Sequence, residues 1–226
     1  MENIQLIQTN DGSSSLLNTT LNETYHSTHG AIQESTHVFI NNGLQYFVEK
    51  NHPASVSVFE VGFGTGLNAL LALLFSEENK IKVDYTSIEA FPIDWEIASQ
   101  LNYPEQLKRN DTQNYFQQLH QVEWSKRIKV SEKFSLLKVK TPIQGFEFLQ
   151  AQFDVIFFDA FAPTKQPEMW ALPVLERIVH AIKPGGVFVT YCAKGQVKRD
   201  LKSLGMFVES LAGPPGKREM VRAIKP

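Results

Sequence analysis

From Ser55 to the end of the chain, short apolar runs alternate with stretches whose apolar residues recur at helical spacing, and this alternation limits the available folds more than any other feature. The runs "SVSVFEV", "KVDYTSIE", "FSLLKV", "FDVIFFDA", "GGVFVTYC", "MFVESLA" and "MVRAIK" read as seven strands. Between them, "LNALLALLF", "PIDWEIASQL", "DTQNYFQQLHQ", "PEMWALPVLERIVHAI" and "GQVKRDLKSL" read as helices. Strand, helix and strand in succession build a parallel sheet covered on both faces, an α/β architecture. The last two strands flank "AGPPGKRE", whose Pro214 and Pro215 exclude ladder pairing, so the sheet ends in an antiparallel hairpin. Residues 1–50 differ: they are polar and rich in Ser, Thr and Asn, punctuated by Tyr25, Val38, Phe39 and Ile40. They are expected to form an extension of hairpin, loop and helix over the site, with residues 51–226 as the α/β domain. The chain of 226 residues is long enough for that plan and contains no linker that would divide it further.

The stretch "VFEVGFGTGLNALLAL" places Gly62, Gly64 and Gly66 at every second position between the first of those strands and its helix. Glycine there permits positive φ and lets a ligand lie against bare backbone. A dinucleotide fingerprint would need a further glycine three residues after Gly64, where Leu67 stands. The turn instead suits S-adenosylmethionine, which has no pyrophosphate to seat on the helix N-terminus; without a ligand it is a tight strand-to-helix connection.

Composition excludes several classes. A formal net charge of −2 argues against a general nucleic-acid binder. No apolar run reaches the roughly 18 residues that span a bilayer, and the N-terminus lacks a basic, apolar leader pattern, so the expected location is the cytoplasm, with no membrane partner. The single cysteine, Cys192, forms no internal disulfide and reads as a small apolar residue on a strand. The six histidines show no metal-ligand spacing, and no metal is expected. Charge is unevenly spread, because Lys194, Lys198, Arg199, Lys202, Lys217, Arg218, Arg222 and Lys225 crowd the C-terminal segment against Asp200, Glu209 and Glu219. That excess suits phosphates and equally suits a solvated surface.

In a doubly wound sheet the ligand lies outside the carboxyl ends of the strands. The turn from Glu60 through Thr65 to Asn68 arrives there, as does Glu89, a strand-end carboxylate able to accept hydrogen bonds from both hydroxyls of a ribose. So does "FFDAFAPTKQPEMW", in which Asp159 follows four apolar residues and Pro163 and Pro167 stiffen the loop that carries Phe161. A half-desolvated carboxylate can orient an amine and take its proton, which methyl transfer to nitrogen requires; a loop-bracing acid is the structural alternative. Lys217 and Arg218 in the terminal hairpin present a positive pair near the same place.

Taken together, "ETYHSTHGAIQESTHVFINN", "FEVGFGTGLN", "IEAFP", "DAFAPTKQPEMW", "KPGGVFVTYCAKGQVKRDLKSLGMFV" and "GPPGKREM" resemble the methyltransferase half of the bifunctional tRNA-modifying enzyme MnmC and its stand-alone relatives, over nearly the whole chain. The resemblance implies a Rossmann-like class I S-adenosylmethionine-dependent methyltransferase, a mostly parallel seven-stranded sheet with a C-terminal antiparallel hairpin. It implies methylation of the exocyclic amine of 5-aminomethyl-2-thiouridine at the tRNA wobble position. It also implies that Gly62, Gly64 and Gly66 hold the donor, Glu89 its ribose and Asp159 the reacting amine, while Tyr25, His29, Gly30 and Glu34 close over the donor. A separate enzyme is expected to supply the aminomethyl group, since no flavin domain fits in this chain. An acid that often holds the adenine amino group in relatives is replaced by "LLKVKTPIQGF", so that Thr141 or a backbone carbonyl is expected to serve, near Lys140. Lys194, Lys198, Arg199, Lys217 and Arg218 are expected to hold the anticodon arm, with Phe161 or Trp170 stacking on a splayed base. Two rival readings are a methyl- or aminopropyltransferase for a free small amine and a non-catalytic tRNA-binding subunit.

Overall fold

The computed structural model describes residues 3–226. Three short strands, β1 (Ile4–Gln8), β2 (Ser14–Asn18) and β3 (Glu23–Thr24), form a small antiparallel sheet in that order. A continuous helical stretch over residues 31–51 follows, made of α1 (Ala31–Ser35), a π-helical segment (Thr36–Gln45) and α2 (Tyr46–Asn51). The remaining chain alternates as the sequence pattern requires: β4 (Ser55–Val61), α3 (Leu67–Asn79), β5 (Lys82–Glu89), α4 (Trp95–Ala98), α5 (Tyr103–Leu107), α6 (Thr112–Gln121), β6 (Arg127–Lys129), β7 (Phe134–Lys140), β8 (Phe153–Phe158), α7 (Leu172–Ala181), β9 (Ile182–Thr190), α8 (Gly195–Ser203), β10 (Phe207–Ala212) and β11 (Glu219–Ile224).

The main sheet has the order β10-β11-β9-β8-β4-β5-β7-β6. β7, β5, β4, β8 and β9 are mutually parallel, and β10 and β11 form the expected antiparallel hairpin. The seven strands read from the sequence are joined at the edge by an eighth, the three-residue β6, which pairs antiparallel to β7. β6 escaped notice because "RIK" carries one apolar residue between two charges. From β4 the chain runs outward through β5 to β7, then crosses back to β8 and β9 on the other side of β4. Strand order therefore reverses between β4 and β8, and a crevice must open outside their carboxyl ends.

Alternation along the strands sends side chains to two cores. Val58, Tyr85, Leu136, Val155, Phe157 and Val189 face α3, α6 and the 31–51 helix, while Phe59, Val61, Ile156, Phe158 and Phe188 face α7 and α8. α3 is apolar all round, and every residue from Leu67 to Ser76 is buried, because it lies between the sheet, the 31–51 helix and α6. The 31–51 helix shares this core through Val38, Phe39, Leu44 and Phe47. Its close approach to the sheet depends on Gly43, where a Cβ would stand 2.9 Å from Val189 Cγ2 and 3.1 Å from Phe157 Cε1. Replacing Gly43 by Leu should lower unfolding stability by about 2 kcal/mol, measured by urea denaturation, because the helix must lift off a close-packed sheet; an unchanged midpoint would mean that the contact is not tight.

Candidate active site

A cleft of about 1020 Å³ opens where the topology requires it, above the carboxyl ends of β4 and β8. One wall is the β4–α3 turn with Glu89, Ala90 and Phe91 after β5 and residues 141–144 after β7. The other is the loop after β8, with Asp159, Phe161, Gln166 and Met169, joined by Tyr191 and Lys217. Tyr25, Ser27 and Glu34 come in from the N-terminal segment.

Gly62 has φ +91°, and a Cβ there would lie 2.9 Å from the carbonyl oxygen of Asp159. Glycine thus lets β4 and β8 converge. Gly64, at φ +48°, sits under Tyr25, whose ring would be 3.2 Å from an added Cβ, and Tyr25 meets Phe161 edge-on at 5.1 Å between centroids. Gly66 differs from the expectation that it leaves room for a ligand: it lies off the cleft, at φ +73°, and a Cβ would be 2.8 Å from His120 Nε2. Histidine 120 bridges to the carbonyl of Thr65 at 3.1 Å and braces the turn from below. Thr65 is buried on the cleft wall, 3.4 Å from His26 Nε2. Burial pushes both imidazoles down to about 4, so both are neutral at pH 7.

Glu89 lines the cleft with its carboxylate already oriented by two backbone donors, the N–H of Gly64 to Oε2 at 3.0 Å and the N–H of Phe91 to Oε1 at 2.9 Å. Each oxygen keeps a further lone pair for a hydroxyl in the cleft. Farther along this wall, Arg177 donates to the carbonyls of Ile143, Gln144 and Phe146, so these backbone acceptors already have a partner. The Thr141 hydroxyl donates to the carbonyl of Pro142 at 3.2 Å, which leaves its oxygen and the Gln144 amide as acceptors toward the cleft. Lys140 does not line it.

Asp159, on the second wall, stands at its junction with the first. Its Oδ2 accepts the Asn68 amide at 2.8 Å, and its N–H donates to the carbonyl of Val61 at 3.1 Å. Burial pushes its carboxyl up to about 7; the charge of Glu34 adds to this, and the Asn68 amide and Lys217 pull back. Asn68 is fixed on the first turn of α3, within the cleft wall. Glu60, expected beside the donor, does not reach the cleft. It is fully buried behind it and accepts the Ser87 hydroxyl at 2.6 Å, because its position in β4 turns it toward the sheet interior.

The basic residues separate into two groups. Lys217 enters the cleft, paired with buried Glu34 and lying 3.8 Å above the Tyr191 ring. Glu34 also accepts the Ser27 N–H at 2.9 Å, so one carboxylate ties the N-terminal loop to the C-terminal hairpin. Lys194, Arg199 and Arg218 are exposed outside the cleft, and Lys198 pairs with Glu219 at 2.6 Å. His29 and Gly30, expected over the donor, also lie outside. His29 packs where a side chain on Gly216 would be, and Gly30 packs on Asp11. Trp170 is unavailable for stacking, since it is buried against Phe158 and its indole N–H holds the carbonyl of Phe161 at 2.8 Å. Sequence reasoning overlooked Tyr191 and Met169, whose apolar strand-end and loop settings carry no chemical signature. Among the described residues no cluster of His, Cys, Asp and Glu is arranged to hold a metal ion, and no helix is long and apolar enough to cross a membrane.

A reversed-order parallel sheet, a positive-φ glycine turn, a strand-end carboxylate in the cleft and a closing antiparallel hairpin define a class I methyltransferase. The chain belongs to the S-adenosyl-L-methionine-dependent methyltransferase family whose profile matches residues 104–226. It is 30% identical over 222 residues to the tRNA 5-methylaminomethyl-2-thiouridine biosynthesis bifunctional protein MnmC of Marinomonas sp., covering 88% of this chain and 30% of that protein. Against the protein of the same description from Nitrosospira multiformis it is 29% identical over 224 residues, 93% of this chain and 35% of the other. The chain thus spans about a third of the length of these curated relatives. The crystal structure of MNMC2 from Aquifex aeolicus superposes with a TM-score of 0.76 at 28% identity, over 97% of this chain and 69% of that one. The protein is therefore an enzyme whose methyl donor is S-adenosyl-L-methionine.

The raised carboxyl of Asp159 has a cost visible in the ligand-free protein. Its folded value near 7 exceeds the ordinary 3.8, so ionisation opposes folding increasingly as pH rises from about 4 to 7, by about 1.4 kcal/mol per pH unit at most. Asp159→Asn should therefore be more stable than the parent above pH 7, with the gain vanishing below about pH 4, as read from thermal midpoints across that range. A gain independent of pH would contradict the raised carboxyl.

Proposed function

We propose that the enzyme transfers a methyl group to the exocyclic amine of 5-aminomethyl-2-thiouridine at the wobble position of tRNA, giving the 5-methylaminomethyl form. The observation that carries this reading is Asp159, a carboxylate of raised proton affinity placed where the wall of Phe161, Tyr191 and Lys217 meets the donor wall. The likeness to proteins described as acting in tRNA 5-methylaminomethyl-2-thiouridine biosynthesis supports the substrate.

The donor fits the residues present: Glu89 would hold its ribose, the bare backbone of residues 62–64 its amino-acid portion, and Thr141 and Gln144 its adenine. When bound it supplies an electrophilic methyl carbon on positively charged sulfur. The nucleophile must be a neutral amine, and Asp159 is suited to orient it and take up its proton, since a base with proton affinity near the working pH is the most effective. Oδ2 is committed to Asn68, and Oδ1 makes no hydrogen bond among the described residues, which leaves it to the amine. Tyr25 and Phe161, packed edge to face, exclude water beside this point. The N-terminal 50 residues act as the cover, held to the hairpin by Glu34 and Lys217. Exposed Lys194, Arg199 and Arg218 meet the phosphates of the anticodon arm outside the cleft, and another enzyme makes the aminomethyl group.

A second reading has one observation in its favour. Glu23, Glu34, Glu89, Asp159 and Glu168 line the cleft against a single lysine, a balance that also suits a free cationic amine. Incubation with labelled donor and tRNA bearing 5-aminomethyl-2-thiouridine, followed by nucleoside mass spectrometry, separates the two. Methyl transfer to that nucleoside is expected, with kcat lowered about 100-fold or more in Asp159→Asn. Donor binding without transfer to tRNA, alongside transfer to small diamines, would overturn the proposal.

A further inference from the structure

Two consecutive residues of the N-terminal segment sit on the glycine turn, Tyr25 over Gly64 and His26 against Thr65. His26 and Thr65 are both buried, and both line the cleft. The backbone of His26 is held first: Thr24 Oγ1 donates to its carbonyl at 2.7 Å, and its N–H donates to Ser15 Oγ at 3.2 Å. Its ring then meets two hydroxyls, Ser15 Oγ 3.1 Å from Nδ1 and Thr65 Oγ1 3.4 Å from Nε2. Which nitrogen carries the hydrogen follows from what those hydroxyls need. Ser15 is fully buried on β2, and Nδ1 is the one acceptor within reach of its O–H among the described residues. Nδ1 therefore accepts, Nε2 carries the hydrogen, and the Thr65 oxygen receives it. The hydrogen of the Thr65 hydroxyl then has no acceptor among the described residues. Tyr103 packs edge-on to His26 at 6.2 Å between centroids, and its hydroxyl, although near Thr65, makes no hydrogen bond.

We propose that His26 is a positioning residue for the methyl donor: its Nε2–H holds the Thr65 oxygen and so leaves the Thr65 O–H to the cleft, where it donates to the carboxylate of the donor's amino-acid portion. This rests on the placement of that portion against the β4–α3 turn. The opposite tautomer would draw the Thr65 hydrogen back onto His26 and leave the buried Ser15 hydroxyl with no acceptor. The second polar atom of Thr65 is fixed as well, because its carbonyl takes the Nε2–H of His120 on α6 at 3.1 Å. His120 is in turn held by Lys138 Nζ, which donates to its carbonyl at 2.7 Å. Thr65 is thus gripped by two buried imidazoles from separate elements, one on its hydroxyl and one on its backbone. A hydroxyl held in this way gives a charge-assisted hydrogen bond to a carboxylate, and its orientation is settled before the ligand arrives. The series Ser15, His26, Thr65 makes the small N-terminal sheet part of donor recognition as well as a cover.

The test measures binding of two ligands by calorimetry: S-adenosyl-L-methionine, and 5′-methylthioadenosine, which keeps the nucleoside and lacks the amino-acid portion. Thr65→Val and His26→Phe, which keep shape and remove one polar partner each, should each weaken S-adenosyl-L-methionine about tenfold and leave 5′-methylthioadenosine within about twofold. The double variant should be no weaker than either single one, since both break the same series. His26→Gln, whose amide N–H replaces the donor, should stay within about threefold of the parent. In the ligand-free protein at pH 7, nitrogen NMR of labelled histidine should show the Nε2–H tautomer for the resonance that His26→Phe removes. Equal weakening of both ligands in His26→Phe would make His26 a support for the whole turn and overturn the proposal. Parental affinity in Thr65→Val, or an Nδ1–H tautomer, would overturn it too. Glu89→Gln should weaken both ligands alike; if it weakens neither, the placement of the donor is what fails. No tRNA enters these measurements, so they stand whichever amine is the methyl acceptor.

Discussion

The carbonyl oxygen of Asp159 occupies the space that a side chain on residue 62 would take, and the cleft is arranged around that contact. It brings the carboxyl ends of β4 and β8 together at the reversal of strand order, with the Asp159 N–H bonded to the carbonyl of Val61. The donor turn and the proposed proton acceptor are thereby two sides of one backbone junction, so their separation is set by the sheet and not by loop conformation. Precision of this kind is what a reaction driven mainly by positioning needs.

Electrostatics in the cleft follow from withheld solvent. Carboxyls at Glu60 and Asp159 rise while the imidazoles of His26 and His120 fall, and in each case burial is the leading cause. Glu34 and Lys217 form an ion pair in the same region. Folding energy is spent on this unfavourable environment, which is compensated by the two apolar cores that flank the sheet.

The parallel sheet, the hairpin and the glycine turn were legible because period-two runs, paired prolines and alternate glycines are local signals. Glu89 and Asp159 were legible for the same reason, as acids that end apolar strands. What a linear reading lacked was direction. Glu60 shares a strand with the turn and yet points behind it, Gly66 makes room for a histidine 54 residues later in the chain, and Trp170 holds a loop from inside the core. The polar "GSSSLL" stretch is misleading in the other sense. Ser13, Ser14 and Ser15 are buried, and their hydroxyls are satisfied by Thr9, Asp11, Asn102 and His26, partners that composition alone does not disclose. The strand-end acids thus do line the cleft, and the departures came from positions whose surroundings depend on packing from distant segments.

The link between Glu34 and Lys217 joins positions 183 residues apart. During ribosomal synthesis the first partner emerges long before the second, so for most of that time the acidic group under the cover has no counter-charge. The cleft wall is completed only by the β10–β11 hairpin, so the nascent protein cannot close its cleft before that hairpin has been made.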